Sequence, residues 1–208
     1  MMPIGGFLPL SLCDYPGHVA AVVFTRGCNF RCPFCHNGHL LEDAPVPDDL
    51  TESDVLARLA NRSARLQGVV ITGGEPTLQP GLAGFLRRLR PLGLLIKLDT
   101  NGSRPAVIEA LLAERLIDAI AMDLKAPWAK YRELAGVACE VEALRRSVAL
   151  IANSGLLHQF RTTRVTPLLS DADCAEIARQ VPAGSPHVFQ TFQPAQALDP
   201  ALRDSPAP

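Results

Sequence analysis

The chain has 208 residues, of which 48% are hydrophobic and 20% charged, with a formal net charge of -1. That is enough apolar material for one domain with a full core and too little for two comfortable ones. The balance of charge gives no basic footprint for nucleic acid, no apolar run is long enough to span a bilayer, and Met1-Met2-Pro3-Ile4-Gly5-Gly6 lacks the parts of a secretory signal.

The expected setting is therefore the cytoplasm, where six cysteines point to metal or buried thiols rather than disulfides. The first β-rich run, from His18 to Gly27, ends in Cys28-Asn29-Phe30-Arg31-Cys32-Pro33-Phe34-Cys35. A C-x3-C-x2-C loop can hold three corners of a cubane iron-sulfur cluster, which leaves one iron open to a ligand. The rival is a structural zinc knot completed by His36 or His39, although zinc ligands usually come as two separated pairs. Cys13, Cys139 and Cys174 stand alone and read as small buried side chains.

Thr51-Glu52-Ser53-Asp54 then opens a helix through about Leu66. A second strand, Gly68 to Pro76, ends in Thr72-Gly73-Gly74-Glu75-Pro76. Two glycines let a ligand approach the backbone and Glu75 offers a carboxylate, while the same pair also suits a plain strand-to-helix turn. After a helix from Gly81 to Leu92, the strand Leu94 to Gly102 places Lys97, Asp99 and Asn101 on one face. Ser103-Arg104-Pro105 starts the next helix with proline in its first turn, and the strand Ala119 to Pro127 sets Asp123 beside Lys125. A helix from Glu140 to Ser154 precedes the strand His158 to Pro167, in which either Arg161 or Arg164 points inward. The last helix, Asp171 to Val181, leads to a strand from His187 to Pro194, whose Gln190 and Gln193 are polar but undiagnostic. Residues 195–208 are rich in Ala, Pro and Asp and lack periodicity, so 1–194 reads as the domain and the remainder as a loosely held tail.

Six strands alternating with helices imply right-handed βαβ units and a parallel sheet, either a partial (β/α)6 TIM-like barrel or an open doubly wound sheet. In such barrels the chemistry sits at the C-terminal ends of the strands, where nearly every unusual residue of this chain falls. The chain has only three lysines, and two of them lie inside strands. A buried charge costs several kcal/mol unless it is paired or binds something. Lys97 reads as part of an interior ion pair, for example with Asp123, and Lys125, at a strand's mouth, as a ligand-binding charge.

Together these segments resemble the radical S-adenosylmethionine (SAM) activating proteins of anaerobic ribonucleoside-triphosphate reductases. More broadly, they resemble the activases of glycyl radical enzymes, such as pyruvate formate-lyase activating enzyme. The resemblance covers nearly the whole chain, from Ser11-Leu12-Cys13-Asp14-Tyr15-Pro16-Gly17 and the cysteine loop, through Ile71 to Thr77, Lys97 to Gly102 and Ala121 to Pro127, to Phe160-Arg161-Thr162-Thr163. Cys13 and Arg164 depart from it, each standing where an aliphatic or apolar residue is expected.

The resemblance implies that Cys28, Cys32 and Cys35 hold a 4Fe-4S cluster whose open iron is chelated by SAM. Gly73, Gly74 and Glu75, followed by Pro76, would receive the SAM amino group, and Lys125 its carboxylate. Asp99, Asn101, Asp123 and Arg161 would supply further polar contacts, and Phe34 and His36 would line the adenosine. An electron from flavodoxin or ferredoxin would cleave SAM to a 5'-deoxyadenosyl radical that takes hydrogen from a backbone glycine of the partner reductase. The rivals are a radical SAM enzyme acting on a small heterocycle, as 7-carboxy-7-deazaguanine synthase does, and a non-enzymatic iron-sulfur or zinc module.

Overall fold

The computed structural model describes residues 1–41 and 50–204, and its centre is one sheet of seven strands. β1 (Ile4–Ser11) pairs antiparallel with β2 (Ala20–Thr25). From β2 onward every pairing is parallel, through β3 (Gly68–Gly73), β4 (Leu95–Thr100), β5 (Ala119–Asp123), β6 (Leu157–Arg164) and β7 (His187–Thr191). The strands lie in sequence order with no reversal. A doubly wound sheet needs a reversal at its switch point, so the winding is that of a partial barrel.

The helices are α1 (Glu52–Ala60), α2 (Leu82–Leu89), α3 (Pro105–Ala113), α4 (Tyr131–Ala135), α5 (Val141–Ala152) and α6 (Asp171–Gln180). Thr51 and Asp54 form a reciprocal capping box on α1, and Pro105 occupies the first turn of α3, as their sequences suggest. The first helix is shorter than expected, because it ends at Ala60 and gives way to a 3-10 turn over Ser63–Arg65. Two elements leave no clear pattern in the sequence. β1 carries Gly5, Gly6 and Pro9, which suit an edge strand but read as a turn, and α4 is too short to show a period.

Alternation along the strands separates two apolar clusters. Ala21, Val23, Val69, Ile71, Ile96, Leu98, Ile120 and Phe160 face the helices and join Val55, Leu59, Phe85 and Ile108 in the main core. On the inner face Tyr15, Ala20, Val22, Val70 and Ala119 form a small plug, with Tyr15 packed against Gly68 so closely that a Cβ there would meet its ring at 2.9 Å. Above the plug the inner positions turn polar, and that change defines the site.

Residues 195–204 differ from the loosely held tail expected of their composition. Ala197 and Leu202 are buried, Leu198 lies against Gly38, and the Asp199 N–H donates to the Pro33 carbonyl at 2.8 Å. Prolines at the starts of the 3-10 turns Pro194–Gln196 and Pro200–Leu202 limit the conformations to be ordered, so the segment docks without helical periodicity. Residues 205–208 of that expected tail lie outside the described residues. Cys139 and Cys174 are half-buried against the core, whereas Cys13 is exposed, contrary to the reading of all three as buried. Its sulfur sits 3.4 Å from the Ser11 hydroxyl on the polar turn that follows the edge strand, where no core packs over it. Among the described residues no helix is long and apolar enough to cross a membrane.

Candidate active site

The C-terminal ends of the parallel strands surround one cavity of about 340 Å³, lined by all three cysteines of the loop, by Gly73, Gly74 and Glu75, and by polar residues of β4, β5 and β6. Four contacts hold the cysteine loop. The Cys35 N–H donates to the Cys32 carbonyl at 3.0 Å, closing a turn, and the Arg31 guanidinium folds back onto the Cys28 and Phe30 carbonyls. The Arg31 N–H donates to the Ala135 carbonyl at 2.8 Å, and Gly136, in a left-handed conformation with φ of 68°, lets the end of α4 press on Arg31. A Cβ at Gly136 would sit 2.1 Å from the Arg31 carbonyl oxygen.

The glycine pair has a different reason from the one expected. A side chain at Gly74 would fall 2.0 Å from the Gly27 carbonyl oxygen, and one at Gly73, with φ of 117°, 2.3 Å from the Thr25 nitrogen. The close approach is that of the chain entering the cysteine loop. Both glycines also line the cavity, so their backbone remains available to a ligand.

Glu75 is buried, and its carboxylate gathers four donors: Oε1 accepts from Thr77 N, Thr77 Oγ1 and Thr100 Oγ1, and Oε2 from Asn101 N at 2.6 Å. Burial pushes its pKa up, and these four donors pull it only part of the way back. Glu75 thus pins the end of β3 to the end of β4 first, and keeps capacity for another donor at Oε2. Pro76 does not line the cavity; it is buried at the start of the 3-10 turn Pro76–Leu78.

Across the cavity the charges alternate. Lys97 donates to Asp99 at 2.5 Å, Arg161 bridges Asp99 and Asp123 at 2.9 Å each, and Lys125 reaches Asp123 at 3.4 Å. The partner of Lys97 is therefore Asp99 and not Asp123, because both lie on β4 two residues apart on the inner face. Arg161 is the inward arginine, since Arg164 pairs with Asp171 at the exposed surface. Burial alone would raise the Asp123 pKa, but Arg161 and Lys125 outweigh it and hold the carboxyl down. Burial likewise works against the charge of Lys125, and Asp123, then the Cys32 thiol, overcome it and raise the pKa. The chain of alternating charges ends in the Lys125 ammonium, whose field reaches the thiols, while the Glu75 carboxylate lines the same cavity.

That ammonium acts on two of those thiols. Burial raises the Cys28 pKa and lifts Cys32 to about 12, with Lys125 acting the other way in both. His36 stacks on Phe192 at 5.6 Å, and its Nε2 accepts the Gln193 N–H, so that nitrogen carries no proton. Burial and Lys125 both lower its pKa, in keeping with a neutral ring. Phe34 and His36 line the cavity, as do Asp99, Asn101, Asp123, Lys125 and Arg161. Sequence reasoning missed Asn29, Thr100 and Ser103, whose only signal was their position inside or next to the motifs.

Three thiols on one cavity wall, with the Lys125 ammonium acting on them, fit a cysteine-held iron-sulfur cluster.

A family model described as the radical SAM superfamily matches residues 22–181. A candidate glycyl-radical enzyme activating enzyme of Methanocaldococcus jannaschii is 33% identical over 214 residues, covering 99% of this chain and 86% of that protein. A 7-carboxy-7-deazaguanine synthase of Methanopyrus kandleri is 32% identical over 134 residues, but covers only 54% of this chain and 52% of that protein. Among solved structures, QueE from Escherichia coli superposes with a TM-score of 0.52 at 17% identity, over 91% of this chain and 93% of that one. SuiB of Streptococcus suis, bound to precursor peptide SuiA, gives 0.59 at 19% identity, over 76% of this chain and 35% of that one. At those identities the two structures speak to the fold alone, and this chain spans about a third of SuiB.

Proposed function

The chain belongs to the radical SAM superfamily, and from that premise we propose that it is a glycyl-radical-enzyme activase whose target is an anaerobic ribonucleoside-triphosphate reductase of the cytoplasm. Radical SAM enzymes use a 4Fe-4S cluster and SAM, and here Cys28, Cys32 and Cys35 would hold the cluster. When bound, the pair supplies reductive cleavage of the sulfonium by one electron, from flavodoxin or ferredoxin, to give methionine and a 5'-deoxyadenosyl radical. The protein's own task is binding, orientation and exclusion of water.

Lys125 suits the SAM carboxylate, because its ammonium has three hydrogens and, among the described residues, only the long contact to Asp123. The carbonyls of Gly73 and Gly74, with the spare capacity of Glu75, suit the SAM amino group. Phe34 and the neutral His36 offer apolar and stacking surface to the adenine. Arg161 locks Asp99 and Asp123 in place, which makes it a positioning residue.

The observation that carries the reading is the likeness to the activating enzyme over 99% of this chain, where the deazaguanine synthase match stops at 54%. Two features of the fold support a protein target. A cavity of about 340 Å³ lies at the lower end for ligand sites, and once it is shared by a cluster and SAM it has little room for a second buried substrate. The two edge strands also expose apolar side chains, Leu8 and Leu10 on β1 and Val188 and Phe189 on β7. Exposed apolar edges are a hazard in a protein with nothing to bind there.

The test is anaerobic incubation with a low-potential reductant, SAM and the cognate reductase. A doublet glycyl radical signal should grow on the reductase, with one 5'-deoxyadenosine per radical, and a glycine-to-alanine reductase should give none. Deoxyadenosine release without a radical on the reductase, but with turnover of a small heterocycle, would move the target to the small-molecule class.

A further inference from the structure

We propose that Asn101 raises the reduction potential of the cluster by donating an N–H to the Cys28 sulfur. The proposal deepens the assignment of the cysteine loop and rests on it. Asn101 follows β4 and is only 5% exposed. Its Oδ1 accepts the backbone N–H of Ser103 at 2.9 Å. A backbone N–H can only donate, so this contact settles which end of the side-chain amide is oxygen, a choice that is otherwise ambiguous. The nitrogen must then face the other way. There it finds two acceptors for its two hydrogens, Asn29 Oδ1 at 2.9 Å and Cys28 Sγ at 3.9 Å.

The orientation is held from both sides. Asn29 donates its own Nδ2 to the Ser103 hydroxyl at 2.9 Å, so Asn29, Asn101 and Ser103 form a closed ring of amide and hydroxyl contacts beside the sulfur. The Asn101 backbone is anchored as well, by its N–H to Glu75. One side-chain hydrogen thus goes to Asn29 and the other turns to the Cys28 sulfur, on the cluster side of the cavity that Asn101 lines.

Cys28 differs from the other two cysteines in this respect. Its sulfur accepts the Phe30 N–H at 3.4 Å in addition to Asn101, whereas among the described residues the sulfurs of Cys32 and Cys35 accept no hydrogen bond. An N–H aimed at a ligating thiolate stabilises the negative charge that increases on reduction, and hydrogen bonds to sulfur are one of the levers that set cluster potentials. In a buried site that interaction is screened less than it would be in water. Because Asn101 is neutral, it acts without altering the charge balance that Lys125 and Arg161 set.

The experiment is a redox titration of the full chain, reconstituted anaerobically with iron and sulfide and without SAM, reading the reduced cluster by electron paramagnetic resonance. Asn101→Leu, which removes the donor and keeps the volume, should shift the midpoint to more negative potential at unchanged iron content. Asn101→Asp should shift it further, since a carboxylate would then face the sulfur. Asn29→Ala, which leaves the donor but frees it, should lie between wild type and Asn101→Leu. A fully loaded Asn101→Leu with the wild-type midpoint overturns the proposal, and if that variant does not load, a wild-type midpoint in Asn101→Asp does the same. A measurement on unsubstituted protein guards against both variants failing to load. With asparagine labelled by 15N, the reduced cluster should show a weak nitrogen coupling in electron-nuclear double resonance, and its absence also overturns the proposal. Failure of wild type itself to bind iron would instead strike at the assignment of the cysteine loop.

Discussion

The two sides of the cavity are held by different forces. On the cysteine side the contacts are short, directional and largely neutral: Gly27 on Gly74, Arg31 on Ala135, and the ring of Asn29, Asn101 and Ser103. On the other side Lys97, Asp99, Arg161, Asp123 and Lys125 form a chain of alternating charges across three strands. Neutral hydrogen bonds can fix a loop without prejudging its charge, which suits a loop whose bound group brings charge of its own. The ion chain contributes the opposite property, fixed charges of both signs in a place where water is scarce, with the Lys125 ammonium at its end.

The largest effect should come from breaking the cysteine side at its thiols. Replacing Cys28, Cys32 or Cys35 with Ala should abolish both the iron content and the SAM-perturbed signal of the reduced cluster in anaerobically reconstituted protein. Cys13→Ala, Cys139→Ala and Cys174→Ala should retain both, since these three lie off the cavity. Iron binding that survives Cys32→Ala would show that the loop is not the cluster site.

The ion chain gives a graded series by position. Arg161→Met takes the shared partner from two carboxylates at once, leaving Asp99 to Lys97 and Asp123 to the long Lys125 contact, and should lower unfolding stability most, by about 3–5 kcal/mol. Lys97→Met leaves Asp99 with Arg161 and should cost roughly 1.5–3 kcal/mol, the range for one hydrogen bond to a charged group. Lys125→Met should cost least in stability, its contact to Asp123 being long, yet weaken SAM binding by on the order of tenfold or more, as loss of one charge-assisted bond implies. Denaturant titrations and SAM binding to the reconstituted protein read the two scales. Equal stability losses for Lys97 and Lys125 with unchanged SAM affinity would erase the distinction between structural and ligand-binding charge.

The sequence was informative where chemistry repeats a local pattern and silent where it depends on distant approach. The cysteine spacing and the period of two in β4 and β5 already placed Cys28, Cys32, Cys35, Asp99, Asp123 and Lys125 at one end of the barrel. Lys97 has two inward candidates in the sequence, Asp123 across the lumen and Asp99 two residues along the strand, and only the distances decide for Asp99. The glycine pair reads as a ligand cradle alone because the Gly27 carbonyl, whose approach it also admits, is 47 residues away in the chain. Asn29 and Ser103 could not be ranked above other polar loop residues until their mutual hydrogen bonds were known. The C-terminal segment deceived for a related reason: two buried anchors, Ala197 and Leu202, leave no periodic trace.

A pair of the same residue types outside the cavity sharpens the contrast at the smallest scale. Lys130 donates to Asp173 at 2.8 Å, linking the turn after β5 to the first turn of α6, where Asp173 also accepts from the Ser170 N–H and hydroxyl. The Lys130 contact, then those from Ser170, hold the Asp173 carboxyl down at about 2. An unfolded Asp titrates near about 3.9, so the folded state binds this proton less readily than the unfolded one. Its stabilisation is therefore complete above about pH 4 and is lost as the pH falls toward 2. Asp173→Asn keeps a side chain able to hydrogen-bond in the first turn and removes the charge. Denaturant midpoints of wild type and variant should differ by a small, constant amount from neutral pH down to about 4, then converge near 2. Added salt should narrow the gap at neutral pH, because Lys130 is nearly half exposed. The gap that Arg161→Met opens should resist salt, since that pair is buried and poorly screened. A salt response of the same size in both would mean that water reaches the ion chain of the cavity as freely as it reaches the surface of α6.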